Sequence, residues 1–253
     1  MSYLDRDGVS IYYEQRGAGP AVLLSHGYSA SARMWQGQME ALSDSYHVIA
    51  WDMRGHDRSD SPDDPKLYSH EATIHDMAAV LDACGAARAV IAGLSLGGFM
   101  SLAFHLMHPA RTEALMLFDT GPGYRKDDGR AGWNRVADGV AAAYEKNGLA
   151  AAGVSAEVRV AQHRSAQGLA HAARGMLAQR DGRVIESLPA IAVPTLVLVG
   201  ENDVQFRPSA DYMAAKIPSA EKAILEGAGH AANIDRPAAF NATVRAFLDR
   251  VTG

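Results

Sequence analysis

Short apolar runs alternate with amphipathic helical patterns along the chain from residue 21 onward. A run that is apolar throughout fits a strand buried on both faces, and such strands occur mainly in parallel sheets that helices cover. The runs lie at residues 21–25, 48–51, 89–92, 115–118, 195–199 and 223–225. This alternation therefore predicts an α/β fold with a mostly parallel sheet.

The segments between the apolar runs contain sequence patterns typical of helices, and the start of the chain contains a pattern typical of a hairpin. The predicted helices cover residues 69–84, with Ser69 as the N-cap, residues 97–107 and residues 237–248. Residues 9–14 favour a strand and precede a turn signal at residues 17–20. We interpret residues 9–14 and 21–25 as an antiparallel hairpin that opens the chain.

Residues 121–189 interrupt the alternation, because they contain no convincing strand and are rich in alanine, arginine and helical spacing. We interpret this segment as a helical cap between two parts of the core, residues 1–120 and residues 190–253. One helical stripe in it carries Trp133, Val136, Val140 and Tyr144, at i, i+3, i+7 and i+11. The stripe either lines a substrate pocket or packs on the core, because spacing tells only which face is buried.

Composition excludes several classes of protein. With 24 basic and 29 acidic side chains, the 253-residue chain carries a formal charge of -5, which disfavours binding to nucleic acid or to an anionic membrane. Its single cysteine, Cys84, forms neither an internal disulfide nor a cysteine-based metal site. Residues 1–7 are charged and no long apolar stretch follows, so we expect a cytoplasmic protein without export signal or membrane span. The expected partner is a small molecule, and the oligomeric state is left open.

The strongest chemical signal is Gly93-Leu94-Ser95-Leu96-Gly97, which lies between a predicted strand and a predicted helix. A sharp strand-to-helix turn leaves no room for flanking side chains, which explains the glycines, and it exposes the serine hydroxyl at the positive end of a helix. An ordinary glycine-rich turn is the alternative. The context predicts that Ser95 is a nucleophile.

Two partners for Ser95 follow in the chain order that this turn requires. Asp203 comes after the predicted strand 195–199, and His230 comes after the strand 223–225. A serine hydroxyl needs an imidazole to take its proton, and the imidazole needs a carboxylate to orient it. Asp119, at the end of strand 115–118, competes for the role of the acid. We favour Asp203, because the acid then lies on the penultimate strand.

An oxyanion hole is predicted from the segment that follows the strand 21–25. In this arrangement one amide comes from the residue after the nucleophile, Leu96, and one from this loop, for which Tyr28 is the candidate. Gly27 allows close approach of the backbone. His26 and Gly27 are also expected to border the substrate pocket.

Together these segments resemble the α/β-hydrolase superfamily, and the resemblance covers nearly the whole chain. Residues 51–60 look like the loop after the fourth strand in small esterases, enol-lactonases and cofactor-free haloperoxidases, although Asp57 replaces the glycine expected there. The resemblance implies a mostly parallel eight-stranded sheet with flanking helices and a small helical cap. Ser95 disfavours the epoxide hydrolase and haloalkane dehalogenase branches, in which the resemblance implies an aspartate at this position.

These features predict a serine hydrolase that cleaves small carboxylic esters or lactones through an acyl-enzyme, without a cofactor. Two alternatives stay open: a cofactor-free haloperoxidase or perhydrolase that uses the same triad, and a ligand receptor that keeps the fold without useful turnover. No metal site is predicted. His70 and His75 are five residues apart and therefore lie about 140° apart around a helix, which prevents them from sharing one metal ion.

Overall fold

One eight-stranded sheet organises the chain, as seen in a computed structural model that describes residues 2–253. Its strands are β1 (Ser2–Arg6), β2 (Val9–Arg16), β3 (Ala21–Ser25), β4 (His47–Trp51), β5 (Ala89–Leu94), β6 (Thr112–Phe118), β7 (Thr195–Gly200) and β8 (Ala220–Leu225). They lie in the order β1-β2-β4-β3-β5-β6-β7-β8. Neighbours from β4 to β8 pair in parallel, whereas β2 pairs antiparallel with β1 and β4. The predicted fold class is confirmed.

Helices cover both faces of the sheet. They are α1 (Gln36–Leu42), α2 (His70–Ala83), α3 (Leu96–Met107), α4 (Asp127–Asn147), α5 (Ala156–Arg159), α6 (Ala166–Ala172), α7 (Arg183–Ser187), α8 (Arg207–Lys216), α9 (Ala232–Asp235) and α10 (Pro237–Val251). Apolar residues of α2, α3 and α8 pack on one face, and those of α1 and α10 pack on the other. All residues of β3, β5 and β7 are consequently buried, which explains their apolar runs.

The predicted hairpin between residues 9–14 and 21–25 is wrong. β2 lies between β1 and β4, and β3 lies between β4 and β5. The hairpin that opens the chain is β1–β2, and its turn is formed by Asp7 and Gly8, with φ angles of 56° and 80°. Asp-Gly is a strong signal for a two-residue hairpin turn. The strand before it escaped notice because β1 alternates between exposed and half-buried residues and contains no apolar run.

The helices that the sequence predicts are confirmed, with ends that differ by a few residues. At the start of α2, the hydroxyl of Ser69 accepts a hydrogen bond from the amide of Ala72 at 3.0 Å, as expected of an N-cap. Gly85 follows the helix with a φ of 68°, a conformation that glycine adopts without strain. The boundaries of β5 and α3 matter most, because they place Ser95.

Residues 121–189 contain helices α4 to α7 and no strand within the described chain. Helix α4 packs on α6 through a small apolar cluster that includes Ala141, Tyr144 and Leu169. At the other end of the segment, Val184 and Ile185 of α7 join the large cluster on the α3 face of the sheet. The division into core and cap at residues 121 and 189 remains a prediction.

Within residues 2–253, no helix combines the length and apolar character needed to cross a membrane. In that same part of the chain, no group of three or more His, Cys, Asp or Glu side chains is arranged to hold a metal ion.

Candidate active site

Ser95 occupies a sharp turn between strand β5 and helix α3. The strand ends at Leu94, the helix begins at Leu96, and Ser95 has φ 55° and ψ -116°. A positive φ in a residue with a Cβ costs on the order of 1–3 kcal/mol, which packing elsewhere must offset. The amide of Ser95 donates to the carbonyl of Phe118 at 3.0 Å, which ties the turn to β6.

Two glycines make this turn possible. A Cβ on Gly93 would lie 2.3 Å from the carbonyl carbon of Gly97, and a Cβ on Gly97 would lie 2.2 Å from the carbonyl oxygen of Ser25. Both contacts are with backbone, which cannot rotate away as a side chain can. The glycine spacing in the sequence therefore reflects the close approach of β3, β5 and α3 around Ser95.

The structure brings Asp203 and His230 together. Nδ1 of His230 donates a hydrogen bond to Oδ2 of Asp203 at 2.7 Å, and the side chain of Asp203 is only 6% exposed. The ring of Phe206 stacks on the imidazole, with centroids 5.1 Å apart. Because Nδ1 is occupied by the carboxylate, Nε2 is the nitrogen left to accept a proton.

The close approach of two loops explains this pairing. Asp203 follows β7 and His230 follows β8, so both begin at the carboxyl edge of the sheet, where functional groups of α/β folds collect. A Cβ on Gly200 would lie 2.2 Å from the carbonyl oxygen of Gly229. The loops that carry the acid and the histidine therefore contact each other through backbone.

Asp119, the competing acid, is fully buried and makes no hydrogen bond to His230 within residues 2–253. Its Oδ1 accepts from the amide of Gly200 at 2.7 Å, and its backbone has a positive φ of 45°. Burial, reinforced by the nearby charge of Asp203, raises the pKa of Asp119 to about 9. Asp119 is therefore neutral near pH 7, and Asp203 is the acid that contacts histidine.

The amides of Tyr28 and Leu96 are free to bind a ligand. Neither donates a hydrogen bond to another group in the described part of the chain. A Cβ on Gly27 would lie 3.3 Å from the Cβ of Ser95, so the loop that carries Tyr28 runs directly beside the serine. The phenol of Tyr28 points elsewhere, because its hydroxyl donates to the carbonyl of Leu169 at 2.8 Å.

The cavity that opens beside Ser95 is lined by neither His26 nor Gly27, contrary to the expectation from the sequence. The evidence for His26 is its packing. Its side chain is fully buried, Nδ1 donates to the carbonyl of Gly27 at 2.7 Å, and Nε2 accepts from the amide of Met53 at 2.9 Å. Burial lowers the pKa of His26 to about 4. A neutral ring with both nitrogens bonded to backbone positions the loop 26–29 instead of contacting a substrate.

Two further histidines hold the same loop, and the sequence reasoning overlooked them. The amide of Ser29 donates to Nε2 of His56 at 3.2 Å, and the carbonyl of Ser29 accepts from Nε2 of His163 at 2.9 Å. Nδ1 of His163 accepts from the amide of Asp57 at 3.2 Å. Both peptide groups of Ser29 are thereby fixed. No local sequence motif marks these residues, because they meet only in the folded chain.

Asp57 fills the position where the resemblance led us to expect glycine. Its φ is 40°, so the backbone adopts the left-handed conformation that glycine would take. The carboxylate accepts from Nε of Arg33 at 2.8 Å and from the amide of Gln162 at 3.0 Å. These bonds offset the backbone strain and link the loop to residues of the 121–189 segment.

A cavity of about 70 Å³ opens beside Ser95. It is lined by Ser95, Leu96, Phe99, Thr120, Gly121, Gly123, Tyr124, Trp133, Leu177, Gln179, Phe206 and Ser209. Among these side chains none is charged, and the walls are mainly aromatic and aliphatic. The lining comes from five separate stretches of chain, and this is why the sequence analysis identified only Ser95, Leu96 and Trp133 among its members.

The four residues of the predicted stripe on helix α4 have different surroundings in the structure. Trp133 lines the cavity, whereas Val136 is 54% exposed and contacts solvent. Val140 and Tyr144 pack in the cluster with α6, and they are not cavity residues. Of the two roles considered for the stripe, lining a pocket fits Trp133, and packing fits Val140 and Tyr144, so these two and Val136 are not pocket residues here. Eleven residues of helix span about 16 Å, so one short cavity cannot reach from Trp133 to Tyr144.

The strand order and the sharp strand-to-helix turn at Ser95, called a nucleophile elbow, are typical of one class of protein, the α/β hydrolases. The chain belongs to the alpha/beta hydrolase family, whose model matches residues 22–243. This confirms the resemblance that the sequence motifs indicated.

The chain is similar over most of its length to an esterase and to two enol-lactonases. The chain is 30% identical to 3-oxoadipate enol-lactonase 1 of Acinetobacter baylyi over 241 residues, which covers 87% of this chain and 85% of that one. A thermophilic esterase from Thermogutta terrifontis is 28% identical, with a TM-score of 0.85 and coverage of 100% of both chains. The enol-lactonase from Burkholderia xenovorans LB400 is also 28% identical, with a TM-score of 0.79 over 98% of this chain and 100% of that one. These relatives support a hydrolase.

Proposed function

We propose that the protein is a serine hydrolase that cleaves small, neutral carboxylic esters or lactones through an acyl-enzyme. The observation that carries the proposal is the pairing of His230 with Asp203 at 2.7 Å on the sheet edge that also presents Ser95 to a cavity. A nucleophile at an elbow and an oriented imidazole are the parts that acyl transfer needs. The similarity to an esterase and to enol-lactonases supports the same chemistry.

In the acylation step, Oγ of Ser95 attacks the carbonyl carbon of the ester, and Nε2 of His230 takes the hydroxyl proton. The carbonyl oxygen becomes an oxyanion, which the free amides of Tyr28 and Leu96 bind. Asp203 stabilises the imidazolium that forms. His230 then returns the proton to the alcohol oxygen as the carbon–oxygen bond breaks, which leaves the acyl group on Ser95.

Deacylation repeats these steps with water as the nucleophile. His230 takes a proton from water, the hydroxide attacks the acyl carbonyl, and the proton passes to Oγ of Ser95 as it leaves. In a lactone the alcohol stays attached to the acyl chain, so hydrolysis opens the ring. Every proton transfer passes through His230.

The electrostatics of the site favour a neutral substrate group in the cavity. The lining residues carry no charge, and burying an unpaired charge beside Leu96, Phe99 and Trp133 would cost several kcal/mol. Asp119 adds no negative charge near pH 7, since burial raises its pKa to about 9. One carboxylate, Asp203, therefore serves one histidine.

The test is turnover of p-nitrophenyl esters and simple lactones by the wild type and by Ser95→Ala. Wild type should release product, and Ser95→Ala should retain only a residual rate, about 10⁶-fold lower by analogy with serine protease triads. An organophosphonate should add one adduct, at Ser95, in intact-mass and peptide mass spectrometry. Ligand binding without product release indicates a receptor, and turnover that requires peroxide indicates a perhydrolase.

A further inference from the structure

The side chain of Gln179 ends in an amide group, and the residue belongs to the wall of the cavity beside Ser95. Its Oε1 accepts from the backbone amide of Tyr124 at 3.1 Å. A backbone N–H can only donate, so this contact identifies the oxygen end of the amide and assigns Nε2 to the other end. Gln179 lines the same cavity as Ser95.

The position of Gln179 is fixed by its neighbours. The backbone amide of Gln179 donates to Oδ1 of Asn134 at 2.7 Å, and the backbone carbonyl of Gln179 accepts from Nδ2 of Asn134 at 2.9 Å. The side chain of Asn134 therefore holds both peptide groups that flank Gln179. Nε1 of Trp133 donates to the carbonyl of Leu177 at 2.8 Å, which secures the chain just before Gln179. A Cβ on Gly123 would lie 2.7 Å from Oε1 of Gln179, so the side chain also packs tightly.

Nε2 of Gln179 has no protein acceptor within residues 2–253. The residue is 9% exposed, Nε2 keeps accessible surface, and Gln179 belongs to the cavity wall, so a ligand in that cavity can replace water as the partner of Nε2. Around it the wall is largely apolar, from Leu177, Trp133 and Phe206. A ligand that displaces this water without supplying an acceptor leaves the donor unpaired, which costs free energy and is the basis of strong discrimination between substrates.

We propose that Nε2 of Gln179 selects substrates that carry a neutral oxygen acceptor, a ketone, ether or hydroxyl oxygen, in the part that fills this cavity. The inference rests on the proposed function and extends it from neutral esters and lactones to oxygen-substituted ones. Carboxylate groups are disfavoured there because the wall holds no cation to pair with them.

Matched pairs of esters test the selectivity. One series is p-nitrophenyl hexanoate and its oxo derivatives, with the ketone moved along the acyl chain; the other is a set of acetates whose alcohol is hexanol or an oxohexanol. For at least one ketone position, wild type should show a kcat/KM about tenfold higher than for the unsubstituted ester, the value of one good hydrogen bond. Gln179→Met keeps the length without the donor and should bring that ratio to about one.

A matched control is Gln167→Met, at an exposed position on α6 outside the cavity lining, which should keep the wild-type ratio. Thermal melts establish that each variant folds. A wild-type ratio near one for every ketone position in both series overturns the role of Gln179 without any variant, as does a preference that persists in folded Gln179→Met. Absence of all Ser95-dependent turnover instead rejects the proposed function, so the two failures are distinguishable.

Discussion

Asp119 lies close to Asp203, and burial together with the charge of Asp203 raises the pKa of Asp119. Burial is the larger cause, and it holds Asp119 neutral with a pKa of about 9. Asp203 binds Nδ1 of His230, whereas Asp119 binds the amide of Gly200. Two ionised carboxylates in one buried site would repel each other, so this division allows a single negative charge to face the imidazole.

The two acids should differ sharply in their effect on turnover. Asp203→Asn should lower kcat by about 10⁴, because the amide cannot orient and stabilise the imidazolium as a carboxylate does. Asp119→Asn replaces a neutral acid with a neutral amide of the same shape that still accepts from Gly200. Its kcat should stay within about tenfold of wild type, or about 1.4 kcal/mol. Steady-state kinetics on one ester checks both variants, and the opposite ranking would transfer the acid role to Asp119.

Asp119 also makes stability depend on pH in a defined direction. The folded pKa of about 9 lies above the ordinary value of 3.8. Between these values the folded carboxyl keeps a proton that the unfolded chain releases, so this group lowers the free energy of unfolding as pH rises. Asp119→Asn removes that dependence. The variant should therefore become progressively more stable relative to wild type between about pH 4 and pH 9.

Urea unfolding at several pH values measures this difference. The gain of Asp119→Asn over wild type should rise by up to about 1.4 kcal/mol per pH unit within the window. Titrating groups that do not interact with Asp119, such as His26, contribute equally to both proteins and cancel in the comparison. A difference that stays constant with pH would mean that Asp119 is ionised in the folded protein.

The sequence allowed the sheet core and the chemical residues to be predicted, because both depend on local patterns. Buried parallel strands appear as uninterrupted apolar runs, and Ser95 and Asp203 follow two of them closely. His230 follows the short apolar run 223–225 at the end of β8, a strand in which only Leu225 is buried. The carboxyl ends of parallel strands meet at one edge, so sequence order alone brings the three toward each other. The glycines of the elbow and the cap at Ser69 are equally local signals.

The remaining features depend on long-range packing, which spacing does not report. Val136 fell on the predicted stripe but is exposed, because the buried face of helix α4 runs through Ala137, Ala141 and Tyr144. Gln179 and Tyr124 meet across more than fifty intervening positions, in a segment without a motif. The hairpin error has a different origin: β1 lacks an apolar run, so no strand is visible before the Asp7-Gly8 turn in the sequence.

The Tyr28 amide, and not its phenol, is expected to matter for catalysis. Tyr28→Phe keeps the amide and loses only the bond from the hydroxyl to Leu169, so kcat should fall a few-fold at most. Tyr28→Pro deletes the N–H and should lower kcat by about 10²–10³, the value of one oxyanion donor. Both are measured on a small ester, with a thermal melt near that of wild type as the control for Tyr28→Pro. Loss of turnover in folded Tyr28→Phe would assign the chemistry to the phenol.

Contacts between the loop 26–29 and helix α4 should affect the oxyanion amide through Ser29. The hydroxyl of Ser29 is hydrogen-bonded to that of Tyr144 at 2.5 Å, and both residues are buried. Ser29 adjoins Tyr28 and has a positive φ of 59°, so a loosened loop can move the Tyr28 amide away from the oxyanion. Tyr144→Phe should therefore lower kcat several-fold and leave KM nearly unchanged, because Tyr144 is not among the residues that line the cavity.

A double-mutant cycle with Ser29→Ala separates this positioning role from general destabilisation. If the hydrogen bond is what acts on the loop, the double variant should lose little more kcat than either single variant, with a coupling energy of about 1 kcal/mol. Val136→Ala on the exposed part of the same helix is the matched control, and it should leave kcat and KM unchanged. Losses in kcat that simply add, or a loss confined to KM, would show that Tyr144 acts through packing alone and that the loop keeps its geometry without this bond.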